Sequence, residues 1–539
     1  LTGVSIGTLS YGAAYKIAVI GGGAGAIEFV KSFFDTGANR FPVEIVIFEP
    51  KKKLGRGVAW SDERTNVLAN MRAETLGPSQ VKIDQISATL SEIRSDQAGE
   101  EYPTRSAIGE ALEKIWNDKK NTMPEDWVIS HIELNAIDLV WKEPYASVIS
   151  DDGVEHGNFN VVILALGNVL GKPTDGIRDS DRYIHGWDVE RIEAIETDSD
   201  VFIKGAGLSS IDATMRLLDN GFELGKRSIL WHSRSGTLPF VRPQQLKGIE
   251  PTFFSKSALD ASRNTQRDFG LEEILKKFES EVYSQEVKEK GRYSRGTRFP
   301  DINAHYHKYQ KADEGLELLN LGIEGSEYIS LWFSVIKLLD EETIPIIWNR
   351  FSEDDKFRFW RKYRRDFDRF WAPIPAINAK RLRGWLSNGT IQLACGKVDK
   401  HKYSETSGKL ELPENIFDPL MLSNDLDSRY ENGFDYVIDA AGITSDILNV
   451  DNPIVDNLVN KKILIPYVLS GGAERKEICL GAKIDWRSGE VLDEGSTAHG
   501  WLYSLAGSLT TGSHRFTNSY YAVSLSARNT AAHMADRII

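Results

Sequence analysis

The apolar positions of this chain follow one pattern twice. A short β-rich apolar run stops at a glycine and gives way to apolar residues at helical spacing, first in KIAVIGGGAGAIEFVKSFF (16–34) and again in VFIKGAGLSSIDATMRLL (201–218). Runs apolar along most of their length suit strands buried on both faces of a parallel sheet, and the spacing after each glycine predicts a helix. VEIVIFEP adds a strand ending in Glu49, and FNVVILALGN (159–168) and FDYVIDAAGI (434–443) add strands stopping at Gly167 and Gly442. Helices are predicted over 86–93 and 104–116, and strands over 127–130, 136–141 and 145–150. From 251 to about 386 the pattern changes to long charged, aromatic-rich helical stretches such as LEEILKKFESEVY and SLWFSVIKLLD, while GRYSRGTRFPD (291–301) has loop composition. RFWRKYRRDFDRF reads as one amphipathic helix with a charged outer face. The fold class expected is α/β, with two Rossmann-like dinucleotide-binding domains and a helical insertion.

The first turn carries specific chemistry. Gly21 permits the tight turn out of the strand, Gly23 lets a pyrophosphate approach the backbone, and the helix from about Ala24 offers free N–H groups and the positive end of its dipole. Gly25 extends the small-residue turn, and Ala26 holds the third place of the GxGxxG/A pattern. Glu49 follows near the usual offset of about 20 residues, where a carboxylate accepts from ribose hydroxyls and repels a 2′-phosphate. It favours FAD or NAD over NADP.

The second turn has Gly205, Gly207 and Ser210, and its following strand SILWHSRSG ends with Arg234 where the first unit has Glu49. An arginine there grips a 2′-phosphate through two parallel charge-assisted bonds, so NADPH is the expected ligand. His232 beside it reads as packing or surface. Two nucleotide turns in one chain suggest one bound flavin and one visiting nicotinamide.

At 539 residues the chain exceeds one hydrophobic core. Its apolar share of 41% and charged share of 27% are those of a soluble globular protein, and a net charge of −13 disfavours a nucleic-acid surface. Cys395 and Cys479 are the whole cysteine content, with no CxxC, which removes the disulfide-reductase branch of two-nucleotide flavoproteins and fits a cytoplasmic setting. No metal-ligand spacing, signal peptide or membrane span is expected. The GxSxG match at 3–7 has no strand before it and is not a nucleophile elbow.

The loop after the first acid, Gly55-Arg56-Gly57-Val58-Ala59-Trp60, resembles the GRGxAY loop of FAD/NAD(P)-binding flavoproteins with two dinucleotide-binding domains, with Trp60 in place of the usual tyrosine. TNVLANM resembles that branch's LNxPAxxM segment, and YPTRSAIGEAL its aromatic-x-x-Arg segment. The resemblance implies that Arg56, Gly57, Trp60, Asn66 and Arg105 contact FAD, with the strand-end glycines Gly167 and Gly442 also expected at the FAD site, and that Asn70 and Met71, the catalytic candidates, lie near the flavin. It also implies FAD contacts at Thr517, Asn518 and Ser519, ahead of a helix over 522–538. The FAD domain would be discontinuous, formed by 1–180 and 387–539. An NADPH domain would begin at 181–250, and 251–386 would supply a helical insertion and the rest of the NADP and substrate region.

Among these flavoproteins the chain is similar to flavin-dependent N-hydroxylating monooxygenases. That resemblance implies reduction of FAD by NADPH, a C4a-hydroperoxyflavin, and oxygen transfer to the amine of an amino acid or similar small metabolite. Partners are then the amine and O₂, with no nucleic acid or membrane and with homo-oligomerisation open. Arg364, Arg365 and Asn378 are candidates for a substrate carboxylate. The chain departs from the branch at FWAPIPAINAKRL, which has prolines and no histidine, so the substrate does not transfer. YIHGWD misses the spacing of a Baeyer–Villiger fingerprint. The alternatives are C- or S-oxygenation, a flavin oxidase or reductase, or a non-catalytic flavin-containing binding protein.

Overall fold

A computed structural model describes residues 14–61, 67–72, 85–97, 100–172, 181–221, 229–233, 238–243, 249, 251–254, 270–290, 316, 319–320, 322–324, 327–337, 343–395, 402–404, 409–411, 433–471, 476–514 and 519–538. These form two compact units. The first takes 1–172, 341–357 and 443–539, and the second takes 173–340 and 358–442.

In the first unit, β1 (Tyr15–Ile20) lies between β2 (Val43–Phe48) and β7 (Val161–Leu164), with β3 (Trp127–Ile132) beyond β2, all parallel. Beyond β7 lie β18 (Ala498–Ser504), also parallel, and antiparallel β17 (Glu490–Leu492) at the edge. Alternate side chains of β1 go to opposite faces, both covered, which explains why the run is apolar from Ile17 to Ile20. Ile17 and Val19 pack with Ile27, Phe29 and Val30 of the helix Ala24–Asp35 and with Ala527 and Met534 of the helix Tyr520–Ile538. Ala18 and Ile20 enter a second core with Leu139, Val148, Ile454 and Leu458. That face is covered by the antiparallel sheet β4 (Ala136–Lys142), β5 (Tyr145–Ser150) and β6 (Glu155–Phe159), and by the helix Pro453–Asn460. A two-stranded ribbon, β15 (Pro466–Gly471) with β16 (Lys476–Ala482), completes the unit's strands.

The predicted helices occur at Gln85–Ile93 and Arg105–Lys120; the second begins where Thr104 Oγ1 accepts from the Ala107 N–H at 3.2 Å. The helix Thr343–Arg350 belongs to this unit too, since Trp348 donates to the Gly512 carbonyl at 2.7 Å. It lies inside the stretch expected to be an insertion in the other domain. Its apolar face of Ile344, Ile346 and Ile347 is buried in the first unit.

The second unit has an all-parallel sheet in the order β11 (Ile391–Cys395), β10 (Ile229–Ser233), β9 (Val201–Lys204), β14 (Tyr436–Asp439), β8 (Tyr183–His185). A small hairpin, β12 (Lys402–Ser404) with β13 (Lys409–Glu411), precedes β14. Val201, Ile203, Trp231 and Ile438 form its core with Ile211 and Met215 of the helix Leu208–Asp219 and Leu382 of the helix Ala376–Ser387. The Trp231 indole is satisfied by Thr214 Oγ1 at 3.0 Å.

The return to the first sheet, expected at 387, comes only after Gly442, because β11 and β14 are hydrogen-bonded into the second sheet. The segment read as one amphipathic helix is broken by a π-helical turn, Phe359–Tyr363, between the helices Glu353–Arg358 and Arg364–Trp371. The aromatic content of this region is used in packing. Phe278 meets Phe254 at 4.5 Å and Phe367 at 5.7 Å between ring centroids.

Candidate functional site

The first glycine turn is built by close backbone approach. Gly21 has φ +98 and donates to the Phe48 carbonyl at 2.8 Å, and a side-chain carbon there would stand 2.6 Å from the Ala165 carbonyl oxygen. Gly23 begins the helix Ala24–Asp35 without a side-chain cap and with no acid in the first turn, leaving its N–H groups and positive dipole end for an anion. A carbon on Gly23 would come to 3.3 Å from Gly57 Cα, so the second loop of the site presses on the turn. Gly25 faces Val523 of the helix Tyr520–Ile538, and Ala26 is fully buried, as its place between helix and strand requires.

Glu49 lies at the carboxyl end of β2. Its carboxylate accepts from the Gly22 N–H at 2.9 Å and from the Lys51 N–H at 3.1 Å. Part of the acid's capacity therefore fixes the turn, and the rest of its oxygen lone pairs remain for hydroxyl donors.

The loop after Glu49 is anchored from the helix Arg105–Lys120. Arg56, 8% exposed, grips one oxygen of Glu113 through Nε at 3.0 Å and Nη2 at 2.8 Å. Gly57 has φ +55. Trp60 packs on the first core, and Arg105 lies 6.0 Å from its ring and donates to the Ala59 carbonyl at 3.4 Å. Residues 67–72 are zipped to the start of the same helix: Arg105 N–H to the Val67 carbonyl and Ala69 N–H to the Pro103 carbonyl, both 2.9 Å. Asn70 and Met71 stand on this segment, Met71 against the core. Asn66 lies outside the described residues, as do Thr517 and Asn518. Ser519 caps the helix Tyr520–Ile538, its Oγ accepting from the Ala522 N–H at 3.0 Å.

At the carboxyl end of β7, Gly167 turns the chain with φ +62. Ser508 holds that turn from both sides, donating its N–H to the Gly167 carbonyl at 3.1 Å and accepting from the Val169 N–H at 3.1 Å. The contact requires glycine at 507, where a side-chain carbon would stand 2.1 Å from the Gly167 oxygen.

In the second unit, Gly205 repeats the geometry of Gly21. It has φ +125 and donates to the His232 carbonyl at 2.7 Å, and an added carbon would meet the Ala440 oxygen at 2.5 Å. Gly207 begins the helix Leu208–Asp219 with no side-chain cap and open space around its Cα. Ser210 is fully buried. Arg234 lies outside the described residues. Gly442, expected with FAD, instead ends the turn after β14 in this second unit, because β14 pairs with β9 and not with the first sheet. His232 is 3% exposed and lies against Phe202, with ring centroids 5.7 Å apart.

Sequence reasoning missed a charged cluster at these strand ends. Lys204, the last residue of β9, donates to Asp439 Oδ2 at 3.1 Å, and the Tyr183 hydroxyl bonds the same oxygen. Burial alone would raise the Asp439 carboxyl, but Lys204 and the Tyr183 hydroxyl outweigh it and hold its pKa below the ordinary carboxylate value. The three residues are far apart in sequence, and only the parallel pairing of β8, β14 and β9 brings them together.

The substrate candidates are not assembled into a site. Arg364 pairs with Asp368 one helical turn away at 3.0 Å and lies 4.4 Å from the Trp360 ring, while Asn378 is 1% exposed and accepts from Arg381 at 3.3 Å. The Arg365 side chain lies outside the described residues. Among the described residues no helix is long and apolar enough to cross a membrane, and no cluster of His, Cys, Asp or Glu is arranged for a metal.

Parallel strands, a positive-φ glycine at the strand end and an uncapped helix start define an α/β protein with two dinucleotide-binding folds. Residues 18–169 match a family model described as FAD-NAD(P)-binding. Among solved structures, the chain is similar to the reduced form of an ornithine hydroxylase from Pseudomonas aeruginosa, at 12% identity over 97% of this chain and 99% of that one, with a TM-score of 0.51. An L-lysine 6-monooxygenase from Pseudomonas syringae matches at 10% identity over 98% and 100%, with a TM-score of 0.49. A cadaverine monooxygenase from Erwinia amylovora, bound to FAD, matches at 10% identity over 98% and 94%, also at 0.49. The first of these likenesses shows a shared fold. No curated protein matches the chain.

Proposed function

We propose that this chain is an FAD-dependent, NADPH-using monooxygenase that hydroxylates the amine nitrogen of an amino acid or a similar small metabolite. The observation that carries the proposal is the duplicated turn. Gly21–Gly23 and Gly205–Gly207 each end a parallel strand and open an uncapped helix in a separate sheet. A protein keeping one nucleotide for structure has no use for a second such cradle. The ornithine hydroxylase that shares the fold supports the choice of reaction class.

The residues fit the cofactors. Gly23 and the first helical N–H groups would hold the FAD pyrophosphate, Glu49 would accept from the adenosine ribose, and Gly207 with its helix start would hold the pyrophosphate of NADPH. FAD, once reduced, supplies the oxygen-activating chemistry. The chain must then orient the amine with its nitrogen lone pair free, and keep water from the reacting centre. The Arg56–Glu113 anchor holds the loop over the first turn in place. Domain roles follow: the unit with β1 would bind FAD and the unit with β9 would bind NADPH.

The experiment is an absorption spectrum of the purified protein through anaerobic NADPH addition and then oxygen, followed by an amine panel. Flavin absorbance that bleaches with NADPH and returns with oxygen, with hydroxylamine formed in step with NADPH use, is expected. Colourless protein that takes up no FAD rejects the proposal; flavin reduction without any hydroxylamine moves it to the oxidase or reductase class.

A further inference from the structure

We infer that Asn168 is a positioning residue of the first unit's cofactor site, with its side-chain oxygen accepting a hydrogen bond from the flavin half of FAD. The inference rests on FAD as the ligand of that unit.

Asn168 Oδ1 is buried and has no hydrogen-bond partner among the described residues. Buried acceptors are nearly always satisfied in folded proteins, and one left alone is destabilising. The backbone gives this amide little freedom to seek a partner, because Ser508 pins the residue on each side of it, Gly167 and Val169. Gly507 is a glycine because that contact leaves no room for a side chain. The chain thus spends a close backbone approach on holding an oxygen that none of the described residues uses.

Its place in the fold says what would use it. The strand order runs β7-β1-β2, and the connections reverse direction between β1 and β7. A ligand of an open parallel sheet lies across the carboxyl ends at such a switch. With the ribose acceptor Glu49 at the end of β2 and the pyrophosphate turn at the end of β1, the rest of a dinucleotide extends toward the end of β7, where Asn168 stands. The flavin half of FAD carries donors there, the ribityl hydroxyls and the ring N3–H. Trp127 Nε1, another buried atom of the first unit without a partner among the described residues, lies at the start of β3, at the opposite end of the strands from that edge.

The test compares parent and Asn168→Leu, a replacement of similar size without an acceptor, in flavin-free and FAD-loaded forms. FAD affinity is read from quenching of flavin fluorescence, and stability from thermal melting. The expected result is FAD binding weakened about tenfold, equivalent to ~1.4 kcal/mol, with the flavin-free protein melting at the same or a higher temperature. Unchanged FAD affinity overturns the inference, and so does an equal loss of stability in both forms, which marks a merely structural amide. N3-methyl FAD separates the two donors. If it binds parent and variant alike, the N3–H is the partner, and if the tenfold gap persists, a ribityl hydroxyl is. A parent protein that takes up no FAD defeats the proposed function itself, whereas a parent that binds FAD no better than the variant defeats only this assignment.

Discussion

Lys204 and Asp439, the last residues of neighbouring strands β9 and β14, meet at 3.1 Å on the line from which the second unit's two glycine turns depart. Both side chains are mostly buried, at 21% and 19% exposure. Asp439→Asn leaves the Lys204 ammonium without the countercharge and is expected to destabilise the protein by about 1–3 kcal/mol at neutral pH. The folded carboxyl sits below its ordinary value, so its contribution is present above the unfolded pKa of about 3.9 and disappears as pH falls through the lower folded pKa. Chemical denaturation from pH 6 down to pH 3 should show a smaller loss of stability in the variant than in the parent.

Gly205 tolerates no side chain. Gly205→Ala combines φ +125 with a carbon 2.5 Å from the Ala440 oxygen, and each fault opposes folding of the turn. A loss of more than about 1 kcal/mol is expected. NADPH should lose its ability to raise the melting temperature, while FAD uptake by the protein that still folds is retained. Gly442→Ala, with positive φ but open space around it, should be the milder change.

His514 gives the first unit an acid sensitivity of its own. Burial pushes its pKa down to about 4, with Ser513 Oγ 3.1 Å from Nδ1. The unfolded chain takes up this proton near pH 6.5 and the folded chain does not, so stability is full above that value and falls as pH drops toward 4. The loss between pH 7 and pH 5 is about 2 kcal/mol. His514→Gln should flatten that part of a urea-denaturation series; an unchanged slope would show that His514 is not its source.

The proposed preference for NADPH over NADH rests on Arg234. Arg234→Ala is expected to raise the KM for NADPH by about ten- to a hundredfold, the range of a lost charge-assisted pair. NADH should be affected far less. Steady-state flavin reduction with both nucleotides decides it, and an equal loss with each removes the 2′-phosphate role.

The two glycine turns were legible because their requirement is local. Only glycine serves at Gly21 and Gly205, where φ is positive and a carbonyl oxygen lies within 2.6 Å of any added carbon. The strands feeding them are apolar along most of their length because both faces are covered. The boundary near 387 was not legible, since nothing in IQLAC says which of two parallel sheets it joins; pairing with β10 decides that at long range. The same holds for Arg364 and Asn378. Charge and amide groups suggested a carboxylate site, but a neighbour one turn away on the same helix takes up each of them. Asn168 gave no signal at all, because an unmet acceptor is visible only once the surrounding backbone is placed.

The first sheet has its middle strand at the beginning of the chain and β18 near the end, and the whole second unit is made in between. Synthesis from the ribosome therefore delivers β1, β2, β3 and β7 with one side bare, and Ile17 and Val19 wait for Ala527 and Met534 to be translated. At about 5–20 residues per second that interval is tens of seconds, during which the second unit can complete itself and the first cannot. Nascent chains arrested short of Trp501 should thus expose an open, apolar sheet edge that calls for chaperone cover, and the cradle around Gly21 should gain its ligand only once that edge is covered.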